Sequence, residues 1–178
     1  MLPISDVADQ PLVWVQPNRQ ERDYELRTGA DTVAALSQRT GSLAMVRAAG
    51  TRWTLDRAGF WRRRVTVRPQ GSAADATFDP GWTGGGTLTL PAGDRFRWSA
   101  DNLPRSRWIW RTADGTPLAR LERRKGPAGV EGLVEIESAA AALPDLALLV
   151  PLGWYLLLLQ AGDSDDGATA AIFASTAG

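Results

Sequence analysis

Arg62, Arg64 and Arg68 fall on one phase of the segment 61–68, and Trp61, Val65 and Val67 on the other. In an extended chain a period of two sends these sets to opposite faces, which gathers three guanidiniums on one side. Arg52 takes the same phase in the preceding segment, against Trp53 and Leu55. Guanidinium forks match the oxygens of phosphate. Arg52, Arg62, Arg64 and Arg68 are therefore candidate contacts for an anionic lipid headgroup or another phosphate-bearing surface. The alternative is a solvent face made soluble by charge.

Other chemistries are removed by composition. Among the 178 residues there is no cysteine and no histidine, which excludes thiolate nucleophiles, imidazole bases, disulfides and Cys/His zinc sites. Lys125, the single lysine, lies in Arg123-Arg124-Lys125-Gly126-Pro127 at the end of a strand-like segment, where exposure leaves its ammonium charged. Asp56, Asp75, Asp79, Asp94 and Asp101 stand beside turns or on outward phases, where solvation or arginine pairing is ordinary. The glycine-rich stretch 79–86 has no nearby lysine and runs into Thr87-Leu88-Thr89-Leu90, so it reads as a hairpin connection and not as a phosphate loop. Asp163, Asp165 and Asp166 put Gly167 at the fifth position and no Glu at the twelfth, so they read as a solvated acidic tail and not as a calcium loop. No catalytic residue, metal or cofactor is expected, and the chain reads as a non-enzymatic binding domain.

The elements that must position these arginines follow from periodicity. Over residues 11–137, segments of strand length alternate with Gly, Pro, Asn and Asp, and about twelve strands are expected. Alternation is clearest in 52–57, 61–68, 95–98 and 107–111, where Trp53, Trp61, Phe96, Trp98, Trp108 and Trp110 share the apolar phase and point inward. After Ser138 the composition changes to an alanine run and then to Leu146–Leu159, apolar on every side. A helix without a polar face must be surrounded. It is either the axis of a closed barrel or a C-terminal membrane span, and Leu146 to Gly162 is short for the latter. The fold class expected is mainly β: an antiparallel barrel of about twelve strands enclosing one apolar helix near 145–160. Residues 1–162 then form one domain, and 163–178 an acidic and then small-residue tail.

Charge is segregated along this neutral chain. Residues 45–112 hold twelve arginines against five aspartates, a net of +7, and residues 126–178 hold seven acids and no base. The two regions either neutralise each other in one domain or leave a basic surface for phosphate groups. No secretory signal pattern is present in the first twelve residues, so the expected location is cytoplasmic, peripheral at the membrane where lipid is bound.

The order of elements resembles the tubby C-terminal-like superfamily, the barrel shared by tubby proteins, phospholipid scramblases and LURP-one-related proteins. The resemblance spans Leu12 to Gln160. It rests on Tyr24-Glu25-Leu26 and Trp53-Thr54-Leu55 as strand cores, on Ala113-Asp114-Gly115 before Pro117-Leu118-Ala119, and on Leu146–Leu159 as the helix. It implies a twelve-stranded closed barrel around that helix and, as in some relatives, binding to phosphoinositides or membranes. The cysteine-rich segment and the calcium-binding segment of scramblases have no counterpart here. The partners expected are an anionic membrane surface or a protein, with a structural or interaction domain lacking any small ligand as the alternative. Nucleic acid is disfavoured, because the aromatic residues face inward.

Overall fold

Period-two patterning over most of the chain produces strands, and the one stretch without a polar phase produces a helix. A computed structural model describes residues 1–39, 42–59, 64–102, 106–126 and 129–175, and of 125, 129 and 163–175 the backbone alone. The strands are β1 Leu12–Val15, β2 Asp23–Thr28, β3 Asp31–Gln38, β4 Ala44–Ala48, β5 Thr51–Ala58 and β6 Arg64–Pro69, then β7 Ala76–Pro80, β8 Gly86–Thr89, β9 Arg95–Ala100, β10 Arg107–Thr112, β11 Pro117–Gly126 and β12 Gly129–Ile136. Each pairs antiparallel with the next, and β12 returns to β1, so the sheet is a closed twelve-stranded barrel. Closure leaves no open edge for another chain to extend. A short 3₁₀ turn, Ile4–Val7, buries both of its terminal residues against the core.

The helix α1, Leu146–Ser175, enters at the end where the even-numbered strands finish. Leu146, Leu149, Leu152 and Leu156 are buried as expected, and Leu159 is half-buried at the far end. Burial of each leucine contributes about 1.5–3 kcal/mol, so the segment that resembled a membrane span is the filling of the barrel. No helix among the described residues is long and apolar enough to cross a membrane. Pro151 supplies no N–H to the carbonyl of Ala147, and the surrounding wall holds the helix across that gap. The helix runs past the end expected near 160: Gly162, a residue type that commonly closes a helix, lies inside it, and the backbone continues helical through 163–175.

The interior is aromatic. Trp14 stacks on Trp154 at 5.7 Å, and Trp98 lies 4.9 Å from Trp110. Gly153 lets the helix approach these rings, since a Cβ there would stand 2.8 Å from Trp110 Nε1 and 3.1 Å from Trp98 Cη2. Phe96, Trp98, Trp108 and Trp110 are buried as the alternation requires, Trp53 is partly buried against the core, and Trp61 lies outside the described residues. The indole N–H groups of Trp14, Trp98, Trp110 and Trp154 are buried without an acceptor among the described residues. A chamber packed this way is a hydrocarbon-like core, not a site for a polar ligand.

Antiparallel order sets which connections share an end. The β1–β2, β3–β4 and β7–β8 connections lie at the end where α1 leaves the barrel, here the upper rim. Tyr155 OH donates to the Ser42 carbonyl there, and Gln160 Nε2 donates to the Gly84 carbonyl at 3.1 Å. Burial raises the Tyr155 pKa well above that of a free phenol, so the hydroxyl remains a donor.

Candidate functional site

Of the arginines singled out by alternation, Arg52, Arg64 and Arg68 face outward, but they differ in what opposes them. Arg64 Nε donates to Asp79 at 2.6 Å, and Arg68 forks onto Asp75, with Nη2 at 3.0 Å. Asp79 lies in β7, the neighbour of β6, and Asp75 immediately precedes that strand, and the two neutralise the stripe that looked most basic in one dimension. Arg62 lies outside the described residues. Arg52 is exposed and diagonal to Arg68, because Thr54, two residues on, is the direct partner of Arg68.

Across its other side, Arg52 stands directly opposite Arg47 of β4. Neither side chain has an ion pair or hydrogen bond among the described residues, and both are exposed. Directly opposed residues on an antiparallel pair have Cα atoms about 4.5–5.5 Å apart, and like charges so placed are destabilising. Sequence reading missed Arg47, although its signal was present. Ala44, Val46 and Ala48 alternate with Met45 and Arg47, and the two-residue Ala49-Gly50 connection fixes the register that brings 47 to 52. Ala49 and Gly50 both take positive φ, 47° and 75°, the signature of a tight primed turn.

The same outer ladder continues through Ala35 of β3 to Glu25 of β2. Small residues on β3, Ala35 and Ser37, leave a shallow groove of about 360 Å³ between two banks. Arg47 of β4 and Arg52 of β5 form one bank, and Arg39, just past the end of β3, lines the groove at the upper rim. Asp23 and Glu25 form the other, but both are occupied: Ser37 donates to Asp23, and Arg27 donates to Glu25 at 2.6 and 2.9 Å. Among the described residues, the groove thus presents three exposed guanidiniums with no carboxylate bonded to them. Such an array suits phosphate oxygens, which accept two parallel N–H bonds from each fork.

A second pair of exposed arginines, Arg95 and Arg97, without a bonded acid among the described residues, occupies the outward phase of β9. Arg97 lies directly opposite Arg111 of β10, and Arg111 is held by Asp101 at 3.3 Å. Asp56, the remaining outward acid of β5, faces Thr66 across the strand pair. Compared with protein-family models, with curated proteins and with solved structures, the chain matches none.

Proposed function

We propose that this barrel is a non-enzymatic binding module for a phosphate-bearing anionic surface, held by Arg39, Arg47 and Arg52 on the outer wall of β3–β5. The observation that carries the reading is the Arg47–Arg52 pair. Two like charges set face to face cost stability, and an anion bridging them removes that cost. Arg64 and Arg68, engaged by Asp79 and Asp75, have a secondary part. The reading also takes the chain as kin to the tubby-like superfamily, a kinship that calls for a twelve-stranded barrel around an apolar helix. On this reading the protein acts from the cytoplasm, peripheral at a membrane, without metal or cofactor.

The contact is mainly Coulombic. Each basic residue near an anionic surface contributes about 1 kcal/mol, so three give attachment that weakens steeply with salt, since the Debye length is about 8 Å at physiological ionic strength. Sedimentation with phosphatidylserine-containing vesicles, and retention on heparin as a soluble polyanion, test it at low salt. The wild type is expected to bind at least one of the two, and Arg47→Glu/Arg52→Glu to bind neither while remaining folded. Failure of the wild type to bind either would leave a protein-interaction domain as the better account.

A further inference from the structure

Arg57 stands on the wrong face of its strand for a surface charge. The inward phase of β5 runs Trp53, Leu55 and Arg57, and Arg57 lies opposite Val65 of β6, which lies opposite Phe78 of β7. A cross-strand row that is otherwise apolar thus begins with a guanidinium at the upper rim. Ser42 Oγ donates to the Arg57 carbonyl at 2.8 Å, which fixes the backbone there, and the side chain is half-buried. Outward arginines serve solubility, but an inward one does not. A guanidinium also carries several N–H donors, more than one neighbouring group can use.

Beside Arg57 a cavity of about 170 Å³ opens between β5–β7 and the last enclosed turn of α1. Val65, Phe78 and Leu156, all buried, make its apolar floor, and Arg57, Leu159 and Gln160, all half-buried, stand at its mouth. The space is formed in advance. The Phe78 ring is held edge-on to Trp110 at 6.1 Å, and a Cβ on Gly86 would overlap Phe78 Cζ, so the glycine leaves that ring its place. The bond from Gln160 to the Gly84 carbonyl ties α1 to the β7–β8 connection at the mouth. An apolar floor with a few polar groups at one end is the usual form of a small-ligand site.

We propose that this cleft binds a short-chain aliphatic carboxylate, with its alkyl tail on Val65, Phe78 and Leu156 and its carboxylate on the Arg57 fork. Charge and size select the class. One guanidinium matches one carboxylate through two parallel N–H bonds, whereas a phosphate dianion calls for more cations than stand at this mouth among the described residues. A water's share of volume is about 30 Å³, so the cavity holds a tail of about five or six carbons, and the long chains of a membrane lipid exceed it. The site is separate from the outer-wall arginines and stands independently of the phosphate-surface reading.

The probes are butanoate, hexanoate, octanoate and dodecanoate, with 1-octanol as the uncharged control, titrated into the full-length wild type and followed by backbone amide shifts. Affinity is expected to rise about threefold per methylene up to hexanoate or octanoate and then to level off, with shifts centred on Val65, Phe78 and Leu156. Octanoate should bind about tenfold more tightly than 1-octanol, and Arg57→Gln should abolish that preference while keeping the octanol site. Leu159→Phe, which fills the mouth, should lose both ligands while keeping a cooperative melt. Arg47→Glu/Arg52→Glu should leave octanoate binding unchanged. Absence of octanoate binding by the wild type overturns the site, and so does an affinity that keeps climbing through dodecanoate, which marks unspecific adsorption. Shifts centred elsewhere overturn it as well, as does an octanoate preference that survives in folded Arg57→Gln. The chain-length series needs no variant, so it decides the matter even where a substitution prevents folding.

Discussion

Two sectors of the barrel wall use the same residue to opposite ends. In β10–β12, Arg107 lies across from Glu122, Arg120 across from Glu135 and Arg124 across from Glu131. Ion pairs knit this sector: Arg107 with Glu122 at 3.6 Å, Arg111 and Arg120 with Asp101 at 3.3 and 3.0 Å, and Arg124 with Glu122 at 3.0 Å. In β4–β5, Arg47 lies across from Arg52 and nothing among the described residues pairs with either. Both sectors show arginine on the outward phase of an alternating strand. What separates them is the residue that register sets opposite, so the position of the partner strand, and not the density of arginine, decides which cations are used up in structure.

The comparison breaks most completely if the barrel does not close, since α1 supports both sectors from inside. Leu149 is fully buried, and Leu149→Asp would place an unpaired carboxylate among leucines and indoles. A cost of about 5 kcal/mol or more is expected, seen as loss of the cooperative thermal transition and a red shift of tryptophan emission. Retention of a native-like melt would mean that α1 is not the barrel's core.

Asp101→Ala turns part of the paired sector into a copy of the unpaired one. It removes the acceptor shared by Arg111 and Arg120 and should lower stability by about 1–2 kcal/mol, read from the urea midpoint. Arg97→Ala, which removes a cation with no acid bonded to it among the described residues, should stay within about 0.5 kcal/mol of wild type. Equal losses in the two variants would erase the distinction between the sectors.

Arg52→Glu sharpens the contrast in the other direction. It replaces a like-charge cross-strand pair by an opposite-charge one facing Arg47, and a gain of about 0.2–1 kcal/mol is expected. Retention on anionic ligands should fall in the same variant. A variant that becomes more stable while losing binding would mark Arg52 as held for a ligand and not for the fold. A destabilised variant would show that the native pair is structurally satisfied.

The smallest effect is on acid stability. Hydrogen bonding from Arg124, ahead of the nearby Arg124 and Arg107 charges, holds the Glu122 carboxyl below its ordinary pKa of 4.5. The folded state therefore binds this proton less readily than the unfolded chain. Its contribution is present above the ordinary pKa and is lost as pH falls through the depressed one. Glu122→Gln should flatten the decline of the urea midpoint on the acid side relative to wild type. Asp145 works with the opposite sign. Burial first, and the Asp94 charge second, raise its pKa above 3.8, so its contribution falls as pH rises from there through the raised value. Asp145→Asn should relieve that loss.

Much of this architecture was legible in one dimension because burial on one face writes a period of two. Trp98 and Trp110 against Arg97 and Arg111 identify an inward and an outward phase without any knowledge of the neighbours. The run Leu146–Leu159, apolar on all sides, requires an enclosure whatever that enclosure is. Helix length was less legible. Gly162 carries the usual stop residue, but the helix continues through it, since cap chemistry is a local preference of about 1 kcal/mol that context overrides.

By itself, the amino-acid sequence determined the strand faces, the apolar filling, the absence of thiol and imidazole chemistry, and the surplus of arginine in the middle of the chain. Only the tertiary structure decided which arginines keep their charge unanswered. The Arg62, Arg64 and Arg68 stripe looked the strongest, and two of its members meet aspartates in or just before β7, whereas Arg47, inconspicuous in the chain, meets Arg52. The physical reason is that alternation is a property of one strand and is set by burial, while charge pairing belongs to two strands. It depends on a register fixed by turn length and backbone hydrogen bonds, which carry no charge pattern of their own.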